Sequence, residues 1–211
     1  MVRRNGFLLL LPLIAGLSAC AGHKRPATIA TVEEVEPPVT WRTTIADNDR
    51  LTLETLPQRL AGFGAKVPTR QRQAQAPLLD PSVALDHATL PPGAYHCRAL
   101  RVARAAIRKG KPDFCHVSGE SDGLGFVKQT GTAPTAGYLY PDGDRYVFLG
   151  AKQRRAGENA LAYGTNQAAD VVGVVERVGN FRWRMAVAGA APGQFELYEL
   201  TPVPPEQQPR G

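Results

Sequence analysis

From Pro91 onward the chain alternates short apolar stretches with turn chemistry, and this pattern points to an antiparallel β domain. Candidate strands cover residues 94–100, 114–118, 124–128, 137–140, 145–149, 170–178, 181–187 and 195–200, with 160–163 as a further short one. Pro141-Asp142-Gly143-Asp144 combines a residue of preset φ, turn-favouring carboxylates and a permissive glycine, so 137–140 and 145–149 read as a hairpin. Gly179-Asn180 marks a second tight hairpin. Many short strands with regular turns predict a small antiparallel β-barrel, a lipocalin-like form being one option within it, with a β-sandwich as the alternative. Closure is favoured because it removes exposed strand edges.

The period differs before Pro91. Trp41, Ile45, Leu53, Leu56, Leu60 and Phe63 recur at three- and four-residue steps, the spacing of an amphipathic helix. Pro57 either kinks that helix or opens a second one, and Gly62 and Gly64 end the pattern. Gln71, Gln73 and Gln75 suit another helix stopped by Pro77, and Leu78-Leu79-Asp80-Pro81 suits an anchored turn. The fold class is therefore mainly β with N-terminal helices (α+β). The expected divisions are a leader over 1–19, a tether over 20–39, a helical segment over 40–90, the β domain over 91–201 and a disordered tail over 202–211.

The leader is read from its three parts. Arg3 and Arg4 precede an apolar run from Phe7 to Leu17, and small residues follow. Eleven apolar residues are too few to span a bilayer, which takes about 20. Leu17-Ser18-Ala19-Cys20 resembles the lipobox of bacterial lipoproteins. That resemblance implies cleavage before Cys20, diacylglycerol on its thiol, and acylation of the new amino terminus, palmitate among the chains. Ala21 in place of aspartate implies sorting to the outer membrane, facing the periplasm. The proline- and glutamate-rich stretch that follows reads as a flexible tether, of roughly 25 Å root-mean-square reach for ~20 residues.

With Cys20 lipidated, only Cys97 and Cys115 remain, and an oxidising compartment makes their disulfide the expectation over two buried thiols. If the two cysteines sit opposite each other on antiparallel strands, His96 falls opposite His116 on the other face. Two imidazoles fall short of the four ligands of structural zinc, so no metal and no cofactor is expected, His96 and His116 being the weak candidates.

Charge is unevenly spread. Residues 55–111 hold ten basic side chains and two acids, Asp80 and Asp86, within a chain of formal net charge +6. Arg98, Arg101, Arg104, Arg108, Lys109 and Lys111 form the densest part and are the candidate contacts for an anion or partner. Glu176 and Glu199 are placed to pair with Arg177, Arg182 or Arg184 across the last strands.

Five motifs occur in fixed order: 92–98 (Pro-Gly-Ala-Tyr-His-Cys-Arg), 128–132 (Lys-Gln-Thr-Gly-Thr), 137–140 (Gly-Tyr-Leu-Tyr), 147–150 (Val-Phe-Leu-Gly) and 173–177 (Gly-Val-Val-Glu-Arg). Together they resemble the uncharacterised proteobacterial lipoproteins grouped as domain of unknown function 4893, over about residues 40–202. The resemblance implies no activity and no catalytic residues.

No nucleophile elbow, zinc-protease helix or acid–base pair stands out, so an enzyme is not expected. The expected function is a non-enzymatic envelope module, held at the membrane by its lipid, that binds a protein or anionic polymer. Nucleic acid is not an expected partner of an exported chain. Two alternatives remain open. One is a lipocalin-like carrier of a small apolar ligand, with Tyr95, Phe126, Tyr138 and Phe148 as cavity walls. The other is an inhibitor of a secreted hydrolase, acting through a loop from Arg104 to Pro112.

Overall fold

In the computed structural model the apolar stretches beyond Pro91 pair in chain order and close on themselves. The structure describes residues 39–103, 106–120, 123–131, 134–155, 162–189 and 195–208, and only the backbone of 101–103, 106, 120 and 189. These residues belong to one unit, Pro38–Gly211. The leader, Cys20, the tether and Arg104 lie outside them. No helix among the described residues is long and apolar enough to cross a membrane.

Nine strands form one antiparallel sheet: β1 (Gly93–Ala103), β2 (Ala106–Lys109), β3 (Asp113–Glu120), β4 (Gly123–Lys128), β5 (Thr135–Asp142), β6 (Arg145–Lys152), β7 (Asp170–Gly179), β8 (Arg182–Gly189) and β9 (Phe195–Pro202). β1 also pairs with β9, Tyr95 opposite Pro202 through Leu100 opposite Leu197, so β1 and β3 to β9 make a closed eight-stranded barrel. β2 was not anticipated. It pairs with the second half of β1, and β3 pairs with the first half. The strand beside β1 is thus broken at Gly110-Lys111-Pro112, where the register shifts by one residue.

Both hairpins form, the first as read, with Asp142 paired to Arg145 across Gly143-Asp144. The second turns one residue later than expected, Gly179 pairing with Arg182 across Asn180-Phe181, so Phe181 lies in the turn and not in the strand. The expected strand at 160–163 does not form where it is described. Ala162 and Tyr163 lie in loop and turn, because the Tyr163 hydroxyl turns to the helix Asp47–Glu54, donating to Asp49 at 2.6 Å and accepting from the Ala46 N–H. Within the stretch expected as a tail, Pro205–Gln207 form a short 3-10 helix. Val203 is buried and its N–H donates to the Ala94 carbonyl.

Alternation sorts the strands into two apolar layers. Inside the barrel lie Tyr95, Val117, Leu124, Phe126, Leu139, Phe148, Val175, Trp183, Met185 and Leu200. Room for Phe148 comes from Gly150, where a Cβ would overlap both that ring and the Ala136 carbonyl. The outer faces of β6 to β9 and the end of β1 contribute Val147, Leu149, Val172, Val174, Ala186, Leu197 and Leu100 to a second layer. Helices α1 (Trp41–Thr44), α2 (Asp47–Glu54), α3 (Leu56–Ala65), α4 (Thr69–Ala74) and α5 (Ala76–Leu79) lie on the N-terminal side, and Trp41, Leu53, Leu56, Leu60, Leu78 and Leu79 complete that layer. Coverage shows in composition: β7 is buried on both faces over residues 170–175, whereas inward and outward positions alternate along β4. Pro57 stands in the first turn of α3, as the second of its two expected roles requires.

One end of the barrel is sealed by residues 84–92. The Leu85 N–H donates to the Arg177 carbonyl, the Trp183 indole to the Ala88 carbonyl and the Tyr95 hydroxyl to the Pro91 carbonyl, at 2.8, 2.8 and 2.6 Å. Leu90 is buried in the interior layer. Burial, with Tyr146 nearby, pushes the Tyr95 phenol up to about 12.

The jacket is tied to the sheet by charge. Arg184 is fully buried on the outer face of β8, opposite Glu176 in register. Its Nε and Nη2 donate to Glu176 Oε2 at 3.0 and 2.7 Å, and its Nη1 donates to the Asp80 carbonyl at 2.7 Å. Glu199 pairs with Arg182 at 2.7 Å, with Arg98 at 3.9 Å, and the Arg177 guanidinium donates to the Asp86 carbonyl. At the other end of the jacket Asp142 accepts from the Trp41 indole, Arg42 and Arg145.

Arg184→Met should destabilise the protein by about 3–5 kcal/mol in urea unfolding, because Glu176 is left without its cation. A much smaller loss in Arg184→Met/Glu176→Leu is the companion outcome. Burial works to raise the Asp142 pKa, but the donors from Trp41, Arg145 and Arg42 outweigh it and hold the carboxyl below its ordinary 3.8. Its contribution is therefore present above that value and lost as pH falls through the lower folded value. Trp41 fluorescence, read in a Trp183→Phe background, should report release of α1 only below about pH 4. Asp142→Asn should remove that acid step and cost about 1–2 kcal/mol at pH 7.

Candidate functional site

The end of the barrel opposite the seal is built differently. Strand alternation carries Ala99, Asp113, Lys128 and Tyr198 to inward positions there, and Glu196 two residues from Tyr198 shares its face. Lys128 is buried; its ammonium lies 3.0 Å from Asp113 Oδ2 and 5.4 Å from the centre of the Tyr198 ring. The Tyr198 hydroxyl donates to the Glu196 carboxylate. The inward lysine thus has a carboxylate on one side and an aromatic face on the other.

Beside this pair lies a cavity of about 350 Å³ lined by Ala99, Arg108, Lys109, Gly110, Lys111, Asp113, Lys128 and Gly131. The break between β2 and β3 makes its wall. The Gly110 N–H still donates to the Ala99 carbonyl at 3.0 Å, so the break is anchored on β1. Gly131 has φ of +83°, and a Cβ there would overlap the Asp113 carboxylate. The Gln129 N–H donates to the Phe114 carbonyl, and the Phe114 N–H donates to Thr130 Oγ1, both at 2.8 Å. Lys128-Gln129-Thr130-Gly131 thus forms the end of β4 and the bend that follows it.

The disulfide is present between Cys97 and Cys115, with their Cα atoms 5.9 Å apart. Its register differs from the expected one. Cys97 pairs with Asp113 and Tyr95 with Cys115, so the bridge runs diagonally. β2 and the break intervene between β1 and β3, so no tight turn sets their pairing, and sheet twist brings diagonal neighbours within reach. The bridge spans the same two register rows as the Lys128–Asp113 contact, Cys97 being paired with Asp113 and Cys115 with Lys128, and it clamps the wall of the mouth.

The same register moves the histidines out of opposition: His96 pairs with Phe114, and His116 with Ala94. Both face outward, and the His96 ring packs 5.2 Å from that of Phe114. Among the described residues no group of three or more His, Cys, Asp or Glu is placed to hold a metal ion.

Of the six basic candidates, Arg108, Lys109 and Lys111 gather at this cavity, all exposed. No ion pair among the described residues uses them. Arg98 is not with them. It stands on the outer face, where Glu199 compensates it. Arg101 is the register partner of Arg108, its side chain outside the description. Sequence reasoning missed Asp113 and Lys128. The signal was available in β4, where Leu124, Phe126 and Lys128 share one face, placing a lysine at an inward position.

A larger hollow, about 460 Å³, lies among α3, α4 and α5 and is lined largely by Ala61, Gly64, Ala65, Ala76 and Leu79. Its charged members, Arg72 and Asp80, have opposite signs and are exposed, so it selects no charge.

A closed small β-barrel with a helical jacket, one sealed end and one basic end defines the class. The chain belongs to the family described as a domain of unknown function, DUF4893, which it matches over residues 41–200. No curated protein and no solved structure matches it.

Replacing Cys97 and Cys115 by serine should cost about 2–4 kcal/mol in urea unfolding, the effect of opening an 18-residue loop constraint. Amide hydrogen exchange at residues 113–115 should rise more than in β6 if the bridge clamps the mouth.

Proposed function

We propose that this protein is a non-enzymatic binding module of the bacterial envelope that takes an anionic partner at the basic end of its barrel. The observation that carries the reading is the convergence of Arg108, Lys109 and Lys111 on one cavity with no ion-pair partner among the described residues. The neighbouring carboxylate, Asp113, is already paired with Lys128. Such a rim attracts anions over distances up to the Debye length and loses that attraction with salt. The leader supports a location to match: an outer-membrane lipoprotein facing the periplasm, anchored through Cys20, with an acidic polymer or protein as partner.

The carrier alternative needs a hollow interior. Tyr95 and Trp183 pack edge to face at 5.8 Å, and Phe126 and Phe148 do so at 5.7 Å. Those rings fill the space that a ligand would take, and Tyr138 lies exposed on the outer face. The inhibitor alternative needs a projecting loop from Arg104 to Pro112. Residues 106–109 are instead strand, bound to β1 and, through the Ile107 N–H, to the Gln71 side chain of α4.

The test uses the mature chain and a soluble acidic polysaccharide such as alginate. Each basic side chain contributes ~1 kcal/mol near an anionic surface. Arg108→Ala/Lys109→Ala/Lys111→Ala should therefore weaken binding roughly 10- to 100-fold at low salt with the thermal transition unchanged. Equal binding by the triple variant would sink the reading.

A further inference from the structure

We infer, resting on that reading of the mouth, that its cavity receives one acidic sugar unit, a hexose-sized ring bearing a single phosphate or carboxylate. Size is the first argument. At ~30 Å³ per water molecule, 350 Å³ corresponds to about a dozen waters, far more than a bare oxyanion displaces and close to one sugar ring with its acidic substituent. A pocket at the low end of the ordinary ligand range suits one such unit.

The arrangement of charge is the second argument. Arg108, Lys109 and Lys111 are the exposed cations of the lining, whereas Lys128 is buried and held by Asp113. A ligand anion is thus met by cations at the rim, with the arginine fork able to grip phosphate or carboxylate bidentately. Deeper in, Asp113 and Lys128 neutralise each other, so the floor carries no net charge to hold a second acid group. The Asp113 carboxylate oxygens can still accept hydrogen bonds from hydroxyl groups. Besides Ala99 and the two glycines, the aliphatic stems of the basic side chains give the lining non-polar surface against which the carbon faces of a sugar ring can pack.

Rigidity is the third. The diagonal disulfide fixes β1 to β3 beside the Lys128–Asp113 contact, Cys97 being paired with Asp113 and Cys115 with Lys128, and Gly110 is hydrogen-bonded to Ala99. A wall held this way keeps its polar groups in position before the ligand arrives, which lowers the ordering cost of binding.

Calorimetric titration of the mature chain with glucose 6-phosphate, glucuronate, glucose and inorganic phosphate tests the inference. Binding of either acidic sugar at least about tenfold tighter than glucose and inorganic phosphate is the expected result. The preferred acidic sugar then tells whether phosphorylated or carboxylated units are the natural source. Arg108→Ala and Lys111→Ala should each weaken that binding, while Lys66→Ala, on the far end of α3, should not. Inorganic phosphate binding as tightly as glucose 6-phosphate, or no response to the two rim substitutions, overturns the inference. Retained alginate binding with no acidic-sugar binding overturns the sugar site alone. Loss of both overturns the basic-mouth reading as well.

Discussion

Arg184 is a fully buried cation on the outside of a β-barrel, and the helical jacket is organised around it. Its guanidinium joins a strand carboxylate, Glu176, to the carbonyl of Asp80 that ends α5. A buried charge tolerates few arrangements, because each donor left without an acceptor costs the desolvation it has already undergone. Apolar packing of Leu78 and Leu79 against β7 and β8 would allow the helices to slide. The guanidinium selects one seating. From that seating follow the path of residues 80–92, the hydrogen bonds that seal the barrel and the entry of Leu90 into its interior.

Sealing one end leaves the other to carry chemistry. The interior near the seal is occupied by aromatic rings, and at the opposite end Lys128, Asp113, Tyr198 and Glu196 adjoin one another. The break between β2 and β3 then brings basic side chains to this end without opening the barrel. β1 keeps its pairing to β9 along the stretch opposite the break, so closure does not depend on the interrupted side.

Much of this was legible in the chain. The turn at residues 141–144 and the doubly buried run in β7 reflect local chemistry, and local chemistry is what a sequence displays directly. β2 was not legible: Ala106-Ile107-Arg108-Lys109 has one large apolar residue, and its pairing is supplied by β1 and α4 rather than by its own pattern. The cysteine register escaped for a related reason. A bridge constrains two strands to be neighbours but allows both direct and diagonal pairing, and the turn that would decide is interrupted by β2. The acid–base pairing of Glu176 and Glu199 was legible as a set of candidates; only the tertiary placement of Asp80 shows why Arg184 carries the load.

The pairing of the first strand with the last also sets an order of events during folding. Tyr95 meets Pro202, so the barrel cannot close until nearly the whole described chain is available, and contacts of such long sequence separation form slowly. Cys97 and Cys115 are only 18 residues apart and can meet while β9 is still absent. An oxidised β1–β3 pair therefore offers a nucleus that shields one side of β1, while its other edge waits for β9. During that interval the exposed edge is open to pairing with another chain, and the early crosslink halves the length of backbone at risk only where β3 lies alongside.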